Sequence, residues 1–340
     1  MTRAMKLPSN QFDHFYRGGN RIGRLRHGPG GPMRPEEWIG STTVRFGQTE
    51  IGLSKVSSGE FLKDLIEGKP QDWLGDVHVN SFGVSTEILV KLLDPDQRLP
   101  VHYHPNRKFS DEKLNLGHGK SEAWIILEAP LGAKVGLGFK EEMNVEQVLA
   151  MVKAEDAKAM LDSLTFLDVK AGDSIFVPAG VPHAIESGTF ILELQEPTDL
   201  SILLEWDGFA VDGKTDGHLN LGFETCLQCL RLTPLTVDEY RQIKGGFNYQ
   251  DKGGQPIFSD IADPFFRANF LADDSVSIES GFSILLILDG DGELKFSNEI
   301  AMAVSKGDAI VIPFCAGPWS LLGAKGILSR PPMASFNLNR

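Results

Sequence analysis

The run LPVHYHP places His102 and His104 two residues apart, on either side of Tyr103. In an extended chain, residues i and i+2 point to the same face, so both imidazoles share one side of a strand. Two imidazoles on one face are half of a metal site. Glu122 follows in GKSEAW, on the next candidate strand, and His183 in PAGVPH, just past a strand end. Three imidazoles and a carboxylate suit a divalent transition metal, with one or two positions left for water or substrate. A histidine without such neighbours is more often an ordinary core or surface side chain. His78, His118 and His218 have no motif around them and are read that way.

The elements that must position these residues are mostly strands. TEILVKLLD (Thr86 to Asp94), LPVHYHP, SEAWIILEA, AKVGLGF and FILELQEP read as strands, as do WIGSTTVRFG, ending at Gly47, and the stretches around DSIFVP and PHAIE. FLKDLIEG reads as a helix closed by Gly68. NVEQVLAMVKAEDAKAMLDSL has helical spacing and reads as one or two helices inserted at about 141–165. FFRANFLA, FSILLILDG, GELKFS, DAIVIPF and GPWSLLGAKGILSR form a second β unit from about residue 260. KAGDSIFVPAG recurs as SKGDAIVIPFCAG, a Gly-Asp turn, a short apolar strand and a proline. Repeated strands and this internal echo predict a mainly β protein of two small barrels. The expected organisation is an amino-terminal arm at 1–35, a metal-binding domain at 36–223 with the helical insertion, a linker at 224–258 and a second domain at 259–340. No histidine follows Pro313 and no HxH follows residue 260, so the second domain is expected to be metal-free.

The metal motifs resemble those of the cupin superfamily, and among cupins those of the type I mannose-6-phosphate isomerases. That family carries Q-x-H-P, G-K-x-E and V-P-A-G-x-x-H-A-I. The corresponding residues are His102-Tyr103-His104-Pro105, Gly119-Lys120-Ser121-Glu122, and Val177-Pro178-Ala179-Gly180 with His183-Ala184-Ile185. Trp38-Ile39-Gly40-Ser41 is similar to the family's W-x-x-S segment. The resemblance implies two cupin (jelly-roll) barrels, one divalent metal, zinc foremost, and a sugar or sugar phosphate interconverted between aldose and ketose through a cis-enediol. It also implies His102, His104, Glu122 and His183 as metal ligands. Lys120 is a candidate to polarise a sugar oxygen or bind phosphate, the alternative being a solvated turn lysine. Glu193, in FILELQEP, is a candidate acid/base, the alternative being a strand-surface carboxylate. Two departures stand out. His102 replaces the family's glutamine, and Leu203 occupies the position of an arginine ten residues after Glu193 that the family uses in catalysis.

Composition narrows the partners. Lys and Arg total 33 against 46 Asp and Glu, a formal charge of −13, which argues against nucleic acid. No run reaches the ~18 apolar residues of a membrane span, and the polar start MTRAMKLPSNQ lacks a signal-peptide core. Three cysteines, Cys226, Cys229 and Cys315, do not make a disulfide framework, and the expected location is the cytoplasm. Cys226 and Cys229 form a lone CxxC with no second pair, and RGGNRIG lacks the GK[ST] ending of a phosphate loop. Arg21, Arg24 or Arg26 of the arm could reach an anion pocket, and Arg107 and Lys108 could sit at a pocket mouth. Two other functions fit the same ligands: an iron-dependent cupin dioxygenase, marked by oxygen-dependent turnover, and a sugar-binding sensor, marked by tight binding without turnover.

Overall fold

The computed structural model describes residues 2–272 and 276–335. It is mainly β, built from three antiparallel sheets. In the first, the strands lie in the order Lys244–Gly246, Asp173–Val177, Glu122–Glu128, Phe190–Gln195, Leu89–Leu93 and Glu36–Ile39. In the second the order is Ile202–Leu203, His102–Tyr103, His183–Ile185, Lys134–Phe139 and Leu164–Asp168. The third runs Met5–Lys6, Ala309–Ile312, Ser283–Phe296, Trp319–Arg330 and Arg267–Leu271, with Met302–Ser305 paired to its longest strand.

The central strands of the first sheet are buried on both faces. Leu89–Leu93 and Phe190–Gln195 expose no residue, and Glu122–Glu128 exposes only its last. Such strands read as nearly continuous apolar runs rather than as alternation, which is what LVKLL and FILELQ show. Within those runs the charged residues are the anomaly: Lys91, Glu122 and Glu193 are all buried. Register puts two of them in one row. Trp38 pairs with Lys91, Lys91 with Glu193, and Glu193 with Trp124, so this face carries ionic groups between two indoles.

Several segments differ from their sequence reading. WIGSTTVRFG is a strand only to Ile39. Gly40 adopts φ +59°, and a Cβ there would lie 2.9 Å from Ile284 Cδ1, so the chain turns off the sheet. FSILLILDG and GELKFS are one 14-residue strand, Ser283–Phe296; Gly290, with φ +81°, shifts its register against Trp319–Arg330 without ending it. The arm at 1–35 contributes Met5–Lys6 to the third sheet and a short helix, Arg21–Arg26. The stretch 224–258 contains the helix Val237–Ile243, closed by a Thr236–Glu239 capping box, and then an edge strand of the first sheet. The inserted helices are Val145–Ala154, with an Asn144–Gln147 capping box, and Ala157–Asp162, capped by Asp156. Arg107–Leu114 is also helical, capped by Asn106, although RKFSDEKL has only two apolar residues and no periodic stripe. Among the described residues no helix is long and apolar enough to cross a membrane.

The third sheet packs an apolar interior of Leu285, Ile287, Leu294, Val304, Ile310 and Leu328. The arm is fastened to it by Arg26. The buried guanidinium pairs with Glu37 at 2.8 Å and donates to the Leu7 carbonyl at 2.9 Å and to the Gly307 carbonyl. Removing one partner of a buried ion pair leaves the other charge uncompensated, at a cost of ~3–5 kcal/mol. Arg26→Met is therefore expected to lose stability on that scale in urea unfolding. A loss under ~1 kcal/mol would show that Glu37 finds another partner or a proton.

Candidate metal centre and its cavity

His102, His104 and His183 converge, their candidate ligand atoms all within 4.8 Å of one another. His102 and His183 are opposite each other in register, and His104 continues the alternation one residue past its strand. The sequence-predicted alternation thus delivers both imidazoles to one place, with ring centroids 5.0 Å apart. Each Nδ1 faces a backbone carbonyl: His102 that of Pro100 at 2.8 Å, His104 that of Leu200 at 2.7 Å, and His183 that of Val181 at 2.9 Å. A carbonyl only accepts, so each Nδ1 carries the proton and each Nε2 keeps its lone pair. The three lone pairs point inward: Nε2 of His183 lies 3.1 Å from Nε2 of His102. This fixed tautomer and orientation is what a ligating imidazole requires.

Glu122 enters from the first sheet. Its Oε2 lies 2.9 Å from His104 Nε2 and its Oε1 3.4 Å from His183 Nε2. Trp124 Nε1 donates to Oε1 at 2.9 Å. Burial holds all three histidines below their ordinary value, His104 and His183 down to about 3, so they are neutral near pH 7. Burial alone would raise the Glu122 carboxyl, but Lys120 and the neighbouring imidazoles carry it well below the usual range. Neutral imidazoles and an ionised carboxylate are the protonation states that bind a metal. The donor set and its geometry fit one divalent ion.

Lys120 is buried, not a solvated turn residue. Its Nζ donates to Glu122 Oε2 at 2.5 Å and to His104 Nε2 at 2.8 Å. Glu193 is likewise buried rather than on a strand surface. Burial and then the charge of Glu122 push its carboxyl up to about 7. Sequence reasoning missed its neighbour Lys91, whose Nζ lies 3.6 Å from Glu193, 3.6 Å from Glu36 and 3.9 Å from Asp199, and 4.5 Å from the centroid of Trp38. The signal was present as a single charged residue inside the apolar run ILVKLL. Glu36 was also missed; it accepts from Tyr16 Oη at 2.7 Å and Trp38 Nε1 at 2.9 Å.

These groups open onto a cavity of about 590 Å³, within the range of small-molecule sites. His102, Lys120, Glu193, Lys91 and Leu203 line it. Leu203 pairs in register with His102 and is buried, so the wall beside that imidazole is apolar. None of the arm's arginines lines this cavity: Arg26 is held by Glu37, Arg21 by Asp94 at 2.6 Å, and Arg21 and Arg24 border a separate cleft. Arg107 and Lys108 do not line it either, because their helix turns them to Glu196 and Glu112. The cysteines are free; burial raises the Cys226 and Cys229 thiols to about 12, and each donates to a nearby carbonyl.

No protein-family model matches the chain. In sequence it is similar to mannose-6-phosphate isomerase ManA of Bacillus subtilis (strain 168), 26% identical over 284 residues, 82% of this chain and 85% of that protein. It is also similar to the mannose-6-phosphate isomerase of Streptococcus mutans serotype c, 28% identical over 287 residues, 82% of this chain and 84% of that one. The solved mannose 6-phosphate isomerase from Bacillus subtilis superposes with a TM-score of 0.75 at 19% identity, covering 97% of this chain and 100% of the other. A point variant of the phosphomannose isomerase from Salmonella typhimurium superposes at 0.74, with 16% identity and coverage of 97% and 100%. Across most of its sequence the chain is similar to mannose-6-phosphate isomerases, and it shares the fold of their solved structures along nearly its whole length.

Proposed function

We propose that the protein is a metal-dependent aldose–ketose isomerase acting on a sugar or sugar phosphate. His102, His104, Glu122 and His183 hold the metal, and Lys120 and Glu193 act on the substrate. The observation that carries this reading is the convergence of three lone-pair-bearing Nε2 atoms and the Glu122 carboxylate beside a cavity that also holds Glu193. Its relatives are named mannose-6-phosphate isomerases, which supports the reaction class. Three imidazoles and one carboxylate favour zinc among the common ions. The three free thiols support a cytoplasmic location.

When bound, a divalent ion supplies Lewis acidity for a sugar oxygen and for the charge that develops in the enediolate. The chain's own residues do the rest. The Glu193 carboxylate takes the proton from C2 of the aldose and returns it to C1, while the hydroxyl proton of O2 passes to O1, giving the ketose. Its raised pKa, about 7, suits a group that must both accept and donate a proton near neutrality. Lys91 holds this carboxylate from one side while being held itself by Glu36 and Asp199. Lys120 donates a hydrogen bond to the oxygen that changes between carbonyl and hydroxyl. Leu99, Leu203 and Phe15 line the cavity with apolar surface and limit water at the reacting carbons.

The test is direct. Metal-loaded protein incubated with mannose and with mannose 6-phosphate is expected to yield the corresponding ketose by NMR, and chelated protein is not. The replacement of a family arginine by Leu203 favours one second reading, a sugar-binding sensor; sugar binding with no ketose from either substrate would establish it.

A further inference from the structure

We propose that the substrate is a neutral, unphosphorylated aldose; this rests on the isomerase reading above and specifies its substrate. The argument is the disposition of charge around the cavity. Three cations line it, Arg45, Lys91 and Lys120, against the carboxylates of Glu36, Glu193, Asp199, Asp212 and Asp216. Lys91 is surrounded by three of those carboxylates within 4 Å. Lys120 sits against the metal ligands Glu122 and His104, at the end of the cavity where it serves the oxygen that changes between carbonyl and hydroxyl. Neither is placed to anchor a phosphate at the other end of the sugar, a group that carries a charge of roughly −1.5 to −2 at pH 7 and is normally held by Arg, Lys or a helix N-terminus.

The wall built on Leu203 and the segment it ties in is worse for an anion. Leu203, whose amide donates to the Gly217 carbonyl at 2.9 Å, ties the strand to the segment 210–220. That segment brings Asp212 and Asp216 to the cavity, while its lysine, Lys214, pairs with Glu155 and does not line it. The short helix Gly213–Asp216 offers no anion site, because the Asp212 carboxylate already accepts from Lys214 N at 3.1 Å and Thr215 Oγ1 at 2.9 Å. Arg45 remains, on the rim, donating to the Asp13 carbonyl at 3.0 Å. Carboxylates are poor company for a phosphate dianion but good acceptors for sugar hydroxyls, since hydrogen bonds to ionised oxygens are the stronger kind. A polyol supplies donors all round and no charge.

The experiment is calorimetric titration of metal-loaded protein with mannitol and with mannitol 6-phosphate, open-chain analogues that cannot isomerise. Mannitol is expected to bind at least tenfold more tightly. Leu203→Arg is expected to improve mannitol 6-phosphate binding at least tenfold and mannitol binding much less. Mannitol 6-phosphate binding as tightly as mannitol or tighter would overturn the proposal, as would failure of mannitol to bind at all. A loss of mannitol 6-phosphate binding in Arg45→Ala that mannitol does not share would identify Arg45 as a phosphate anchor and overturn it too. Ketose formation from the free and phosphorylated aldoses, followed in parallel, tests the isomerase reading itself, so the two can fail separately.

Discussion

Glu193→Gln is expected to lower kcat/KM on the preferred sugar by ~10²–10⁴-fold, the usual worth of a general base, with the metal content unchanged. The substitution keeps the shape of the side chain and removes only its capacity to carry the proton between C2 and C1. Lys91 retains Glu36 and Asp199, so its charge stays compensated. The pH profile supplies a second readout. A protonated Glu193 cannot act as base, so the rate falls as pH drops through its pKa. Burial and the Glu122 charge push that pKa from 4.5 to about 7, and a bound cation pulls in the opposite direction. The wild-type acid limb is therefore expected between these values and to be missing from the residual activity of Glu193→Gln. A variant within tenfold of wild type, with the limb intact, would assign the proton transfer to another group.

His183→Ala is expected to strip the metal and the activity together. His183 is fully buried, and its Nε2 lies 3.1 Å from His102 Nε2 and 3.4 Å from Glu122 Oε1, so it closes the ligand set. Altering an outer partner of a metal ligand typically costs ~10–100-fold in affinity; losing the ligand itself costs more. Wild type should keep one equivalent of metal after dialysis and His183→Ala should keep little, by metal analysis. Circular dichroism of the variant separates metal loss from unfolding. A full equivalent retained in folded protein would exclude His183 as a ligand.

The convergence of the histidines was partly legible because its signal is short-range. The i, i+2 spacing of His102 and His104 is a statement about one strand, and strand geometry fixes its consequence. What positions the imidazoles was not legible: the carbonyls of Pro100, Leu200 and Val181 belong to loops whose path no periodicity reveals. Lys91 shows a different limit. A lone lysine in an apolar run announces burial, but its partners come from two distant stretches, Glu36 from one and Glu193 and Asp199 from the other, which sheet register brings beside it. The same holds for Lys244–Gly246 and Met5–Lys6, edge strands of two or three residues, too short to carry an alternation pattern. The long strand Ser283–Phe296 read as two because its DGDG resembles a hairpin turn. In the fold those glycines instead absorb register shifts against Trp319–Arg330.

The measurement closest to the central claim is proton NMR of the reaction of C2-deuterated mannose and of its 6-phosphate in ordinary water, with metal-loaded protein and with the same protein after chelation. The account predicts that metal-loaded protein forms ketose from at least one of them, with the deuterium gone from C2 and part of it either carried to C1 or exchanged into solvent. Chelation should abolish this, and readdition of a divalent ion should restore it. Ketose formation that continues at full rate without metal, or no ketose under any condition while metal stays bound at His102, His104, Glu122 and His183, would contradict it.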